Sequence, residues 1–176
     1  QILRYQISKS NDVVEIKDEM EYLKKYLFLQ KIRFMDNFEY AIDCEEGILD
    51  CHIHKMIFQP FIENAILHGM ADVEHGGLLK VQIREQDEER LAFIVSDNGQ
   101  GMSKEQMEAI FVRRMNAGNS IGVLNVLARL DLYYGSAYSI HVDSSEGKGT
   151  TIETVIPRQC MRSDQEEIRE NTDSGR

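Results

Sequence analysis

Three short stretches hold residue types that could handle a charged, hydrogen-bonding ligand. The first is Asp97-Asn98-Gly99-Gln100-Gly101-Met102, which follows an apolar run and precedes a helix-start signal. A carboxylate closing a strand can serve as a buried acceptor, and two glycines beside it permit a sharp backbone hinge. The second is Glu63-Asn64-Ala65-Ile66-Leu67-His68-Gly69. Read as helix, it puts Asn64 and His68 on one face, while Ile57, Phe61 and Ala65 share another that belongs in a core. An amide oxygen can ligate Mg2+, and an imidazole one turn away can donate to a phosphate oxygen. The third is Gly147-Lys148-Gly149-Thr150. Taken singly, each has a plain structural reading as well: a polar turn, a pair of capping or solvent-facing side chains, and a tight hairpin turn.

The common phosphate-binding patterns are absent. No glycine run ends in Gly-Lys-Ser or Gly-Lys-Thr, and Lys104 stands where a dinucleotide fingerprint begun at Gly99 and Gly101 needs its third glycine. Cys44, Cys51, His52 and His54 lack the close Cys-x2-Cys spacing of structural zinc sites.

The elements that would position these stretches follow from periodicity. Ile16, Met20, Leu23 and Leu27 form one stripe of an amphipathic helix predicted from Asp12 to Phe34, with acids early and Lys24, Lys25, Lys31 and Arg33 late, as the helix dipole favours. Phe38, Tyr40 and Ile42 alternate with polar neighbours and predict a strand. A second helix is predicted from about Ile53 to His68, kinked at Pro60 and ended by Gly69. Leu79 to Glu85 and Leu91 to Ser96 read as a hairpin, and Ser103 with Gln106 as a capping box for a helix to about Phe111. Arg113 to Ser120 is polar and glycine-containing and reads as mobile. Val123, Val126, Leu127, Leu130 and Tyr134 mark a further helix stopped by Gly135. Tyr138, Ile140 and Val142 then pair with Thr150 to Ile156 across a turn at Ser145 to Lys148. This order predicts an α+β fold in two layers, a mixed β-sheet covered by helices on one face.

The chain of 176 residues is long enough for one domain, and its 42% hydrophobic and 28% charged residues suit a folded core. A net charge of -10 opposes nucleic-acid binding. No apolar stretch reaches the roughly 18 residues that span a bilayer. Three cysteines make an odd, sparse set rather than a disulfide framework, which predicts a reducing compartment. The start at Gln1, with helix following closely, reads as a piece of a longer chain. Arg158 to Arg176 carries nine charges of mixed sign without periodicity and reads as a disordered tail.

Together, in this order and on these elements, the three stretches resemble the asparagine box and two glycine boxes of the Bergerat-fold ATP-binding superfamily. Gln59-Pro60-Phe61-Ile62-Glu63-Asn64-Ala65-Ile66-Leu67-His68-Gly69 is similar to the asparagine box of bacterial sensor histidine kinases of the YesM and LytS type. Leu3-Arg4-Tyr5, Ser8-Lys9-Ser10 and Gln30-Lys31-Ile32-Arg33-Phe34 resemble the segment that joins the phosphoacceptor region to the catalytic domain in that group. The resemblance runs from about Leu3 to Pro157.

It implies a linker or helical segment over residues 1–34, an ATP-binding catalytic domain over 35–157 and a tail over 158–176. It implies ATP and Mg2+ as cofactors: Asp97 accepting from the adenine amino group, Thr150 assisting through the base or a water, and Asn64 coordinating Mg2+. His68 would approach the phosphates. Gly99, Gly101, Gly147 and Gly149 would shape the backbone, and Arg113 to Ile121 would form a lid, followed by Gly122 and Asn125 where a helix N-terminus faces phosphate. Glu63 would have a supporting polar role. The implied partners are a phosphoacceptor helical region of the same protein, a response regulator and a second copy. The implied location is a cytoplasmic domain of a protein anchored in the bacterial membrane.

Three departures from the pattern stand out. The glycine box after the lid reads Ser120-Ile121-Gly122 where Gly-x-Gly is usual. Pro60 occupies the position at which hydrolytic relatives carry a water-activating glutamate, which favours a kinase over a free-running ATPase. None of His52, His54, His68, His75 or His141 has the phosphoacceptor context, so this chain is expected to bind ATP without phosphorylating itself. The rival readings are a nucleotide-gated interaction module or degenerate kinase that binds ATP without phosphoryl transfer, and a serine/threonine kinase of the same fold.

Overall fold

Alternation of apolar and polar residues builds a five-stranded sheet. The computed structural model describes residues 13–70, 76–107 and 121–160, with the backbone alone over 121–125. The strands are β2 (Phe38–Cys44), β4 (Gly77–Asp87), β5 (Arg90–Asp97), β6 (Ser139–Ser145) and β7 (Gly149–Pro157), in the order β2-β4-β5-β7-β6. β2 and β4 are parallel and the other pairs antiparallel, giving the mixed sheet expected. Leu79, Val81 and Ile83 of β4 and Leu91, Phe93 and Val95 of β5 are buried on one face. On the other face Lys80, Gln82 and Arg84 are exposed, and Arg84 pairs with Glu153 at 3.1 Å. One face is core and one is solvent, the pattern open to antiparallel sheets.

Helices cover the buried face. Helix α1 (Ile16–Arg33) sinks its whole predicted stripe, Ile16, Met20, Leu23 and Leu27, into the same core as the strands. Its start differs from the sequence expectation. Val13–Glu15 forms a short strand, β1, which pairs antiparallel with β3 (His52–His54). Three-residue strands are too short to show a period of two. Helix α2 is Gln59–Asn64, not a kinked helix from Ile53. Pro60 lies in the first turn, where its missing N–H costs nothing and its fixed φ suits a helix start, so it opens the helix rather than bending it. Phe58, just before it, stacks on Phe93 of the sheet with ring centroids 3.7 Å apart. α2 continues as a π-helical turn, Ala65–Gly69, closed by the Met70 amide on the Ala65 carbonyl at 3.0 Å.

The capping box forms as expected. The Gln106 amide donates to Ser103 Oγ at 3.3 Å and the Ser103 amide to Gln106 Oε1 at 2.8 Å, opening a helical turn at residues 104–107. The rest of that predicted helix, the Arg113 to Ser120 stretch, the first 12 residues and the tail beyond Cys160 lie outside the described residues. Helix α3 (Ile121–Tyr134) buries Val126, Leu127, Leu130 and Tyr134.

One cysteine pairing went unread in the count of three. Cys51 and Cys160 form a disulfide across 109 residues, with Cα atoms 4.2 Å apart, leaving Cys44 as the free thiol. The chain after β7 runs beside β3, where the His52 amide donates to the Gln159 carbonyl at 2.8 Å, and this brings two distant cysteines together. Their separation conceals the pairing from a count.

Candidate functional site

Strand period carries a carboxylate to the end of the buried face. Along β5 the inward positions are Leu91, Phe93, Val95 and then Asp97, which is 8% exposed. Asp97 stands opposite Thr150 of β7, and Thr150 stands opposite Ser144 of β6. Directly paired residues project to the same side of a sheet, so Asp97, Thr150 and Ser144 form a polar row on the helix-covered face. Burial pushes the Asp97 carboxyl above the ordinary aspartate range, while backbone N–H groups of Gly99 and Thr150 pull it back. The Gly99 amide donates to Asp97 Oδ1 at 2.9 Å.

The loop after β5 ties the three sequence stretches together. Asn98 staples it to the start of β4: its Oδ1 accepts from the Leu78 amide at 2.6 Å and its Nδ2 donates to the Gly76 carbonyl at 3.0 Å. Gln100 donates from its backbone to the Gly69 carbonyl at 2.8 Å and from Nε2 to the His68 carbonyl at 2.6 Å. Its own carbonyl accepts from the Gly147 amide at 2.6 Å. The glycines allow this closeness. A Cβ on Gly99 would overlap the Gly69 carbonyl, and one on Gly149, at φ +89°, would overlap the Asp97 carbonyl. Gly69 also lies directly against the Asp97 carboxylate. Gly101 sits over Ser145, and Gly147 takes a positive φ in the β6–β7 turn.

The helical side is built differently. Phe61, Ile62, Ala65 and Ile66 are buried, leaving Glu63 and Asn64 half-buried and His68 exposed. The π turn widens the coil after Asn64, so Asn64 and His68 are not presented at plain α-helical spacing; such turns recur at functional sites. Asn64 Nδ2 is buried without a hydrogen-bond partner. Glu63 is engaged from the other side: its Oε1 accepts from Gln59 Nε2 at 2.6 Å and from the Tyr26 hydroxyl at 3.3 Å. Tyr22 donates to Gln59 Oε1 at 2.7 Å. Burial and the Glu63 carboxylate hold the Tyr26 phenol well above its usual range. Thus α1 grips the helix bearing Asn64 through two tyrosines that the sequence reading did not single out; their spacing merges with the apolar stripe.

The turn before α2 is gripped as well. Met56, at φ +56°, donates its amide to the buried Glu19 of α1 at 3.0 Å. Arg129 of α3 donates to the Lys55 and Met56 carbonyls at 2.9 and 3.1 Å. Gly122 and Asn125 fall in the first two turns of α3. Of the stretch expected to form a lid, Arg113 to Ser120 lie outside the described residues.

A helix-bearing layer over a mixed sheet thus carries a buried aspartate at a strand end beside a glycine loop. Residues 52–159 match the model of the histidine kinase-, DNA gyrase B- and HSP90-like ATPase family, and the chain belongs to that family. Residues 1–38 match a histidine kinase family model. The chain is similar to the sensor histidine kinase YpdA of Escherichia coli, at 34% identity over 89% of this chain and 27% of that protein. It is similar also to the sensor histidine kinase YesM of Bacillus subtilis, at 28% identity over 89% of this chain and 26% of that one. It spans about a quarter of the length of these relatives. Among solved structures, full-length ShkA in complex with AMPPNP superposes with a TM-score of 0.66 at 19% identity, over 92% of this chain and 35% of that one. The catalytic domain of histidine kinase ThkA gives 0.59 at 19% identity, over 83% and 94%. These share the histidine kinase catalytic fold.

Proposed function

We propose that this chain is the ATP-binding catalytic part of a two-component sensor histidine kinase, which transfers the γ-phosphoryl group of ATP to a histidine outside these 176 residues. The observation that carries the reading is the Asp97 carboxylate, buried at the end of β5 and oriented by the Gly99 amide. A buried acceptor of this kind suits an exocyclic amino group, and Thr150 beside it extends the same surface. Asn64 suits Mg2+ by its chemistry: its Nδ2 is buried without a partner, a donor that a phosphate oxygen could satisfy, and its Oδ1 is the kind of sparse neutral oxygen ligand that a phosphate-bound Mg2+ accepts. Bound there, Mg2+ would offset the triphosphate charge on a chain of net charge -10 and orient the γ-phosphoryl group.

The residues of this chain then bind and align. Asp97 and Thr150 hold the base, and Gln100 keeps the glycine loop against the His68–Gly69 turn. His68, exposed at the end of that turn, would approach phosphate, as would the start of α3 at Gly122 and Asn125. Glu63 is bound to Gln59 and Tyr26, which suits a supporting rather than a proton-accepting role. The partners proposed are the phosphoacceptor region of the same protein, a response regulator and a second copy. No described helix is long and apolar enough to cross a membrane; we place this part in the cytoplasm of a membrane-anchored sensor. Calorimetry of ATP with and without Mg2+ tests the reading. The wild-type chain is expected to bind saturably with Mg2+ dependence that Asn64→Ala removes. No binding at millimolar ATP would overturn it.

A further inference from the structure

Ser144 is a strand residue without a part in the reading above, and its hydrogen bonds determine the chemistry of its neighbour. Its hydroxyl is within 3.0 Å of the Gly149 carbonyl, within 2.9 Å of the Met102 amide and within 2.9 Å of Thr150 Oγ1. A carbonyl only accepts, so the single Ser144 proton goes to Gly149. An amide N–H only donates, so Met102 takes one of the two lone pairs of Ser144. The remaining lone pair must receive the proton of Thr150. Ser144 is thereby saturated, and it is buried, at 8% exposure. With its own proton committed, Thr150 Oγ1 can offer a ligand lone pairs alone.

We propose that Ser144 is a specificity-determining positioning residue, which locks Thr150 as an acceptor so that the Asp97–Thr150 row admits a purine carrying an amino group at C6 and rejects one carrying a carbonyl there. Asp97 as a carboxylate is also an acceptor, and the cross-strand pairing sets it, Thr150 and Ser144 in one row. An amino group supplies hydrogens to such a row. A carbonyl oxygen would meet lone pairs on both partners, and the single N1–H that accompanies it can satisfy only one of them; a buried site left with an unpaired acceptor discriminates strongly. The inference rests on the nucleotide-binding reading.

Calorimetry with ATP and ITP, which carries a carbonyl at C6, separates the two. The wild-type chain binds ATP more tightly than ITP. Ser144→Ala frees the Thr150 proton to turn toward a carbonyl and shrinks the ATP-to-ITP preference by about tenfold, whereas Ser144→Thr, which keeps the hydroxyl, retains the preference. Thr150→Val supplies an independent arm and also shrinks it. Equal weakening of both nucleotides in Ser144→Ala with the ratio unchanged, or an unchanged ratio in Thr150→Val, would overturn the role of Ser144 while leaving ATP binding intact. Failure of the wild-type chain to bind ATP would overturn the nucleotide reading and this inference with it.

Discussion

The two ends of the candidate site are finished to different degrees. At the sheet end, Asp97 is held by backbone amides, Ser144 is saturated, and the glycine loop is packed against both Gly69 and the β6–β7 turn. At the helical end, Asn64 Nδ2 is buried without a partner and His68 stands exposed on a π turn. Cross-strand register can hold polar groups at fixed spacing with no ligand present, since each is tied into the hydrogen-bonded ladder. A helix offers no such ladder for its side chains. In the proposed reading the base half is therefore preorganised, and the phosphate half would be completed by metal and phosphate.

The comparison breaks most severely at Asp97. Asp97→Asn is expected to weaken ATP binding by about a hundredfold, roughly 2.8 kcal/mol, by replacing a charged acceptor with a group that must also donate. The upward shift of this carboxyl fixes the sign of its pH dependence. A group whose folded pKa is raised contributes stability below its unfolded value and loses it as pH rises through the folded one. Asp97 should thus titrate above the ordinary aspartate value of about 3.9 in a carbon-detected NMR titration, and Asp97→Asn should remove that part of the pH dependence of melting. Next comes the seam between the halves. Gly99→Ala would force the loop from the Gly69 carbonyl, and thermal unfolding should register a loss of about 1–3 kcal/mol.

A smaller effect is expected at the helical end, where Asn64→Ala should reduce Mg2+-dependent ATP affinity by about tenfold, about 1.4 kcal/mol, with melting unchanged. The smallest belongs to the grip of α1 on α2: Tyr26→Phe removes a 3.3 Å bond to Glu63 and should cost about 0.5–1.5 kcal/mol of stability in denaturant titration. Its effect on ATP affinity should be slight.

What the sequence disclosed follows the same division. The α1 stripe, the β4–β5 hairpin, the capping box and the placement of Asp97 at a strand end were legible because each is a local pattern of period or spacing. The role of Ser144 was not, since it depends on which residue of β7 stands opposite it, and register is nonlocal. The π turn escaped notice because Ala65 to Gly69 reads as ordinary helix until packing selects the longer bond. Pro60 was misread as a kink because the helix was begun too early, through the short strand His52–His54. The Cys51–Cys160 pair shows the limit of counting, since only the course of the chain after β7 brings the two thiols together.

The most direct test of a preorganised base site is calorimetry of Mg2+–ATP on wild type and Asp97→Asn, with melting curves recorded on both. The account predicts saturable binding in wild type, weakened by about a hundredfold in Asp97→Asn, and a variant that melts no lower. Equal ATP affinity in the two proteins would contradict it.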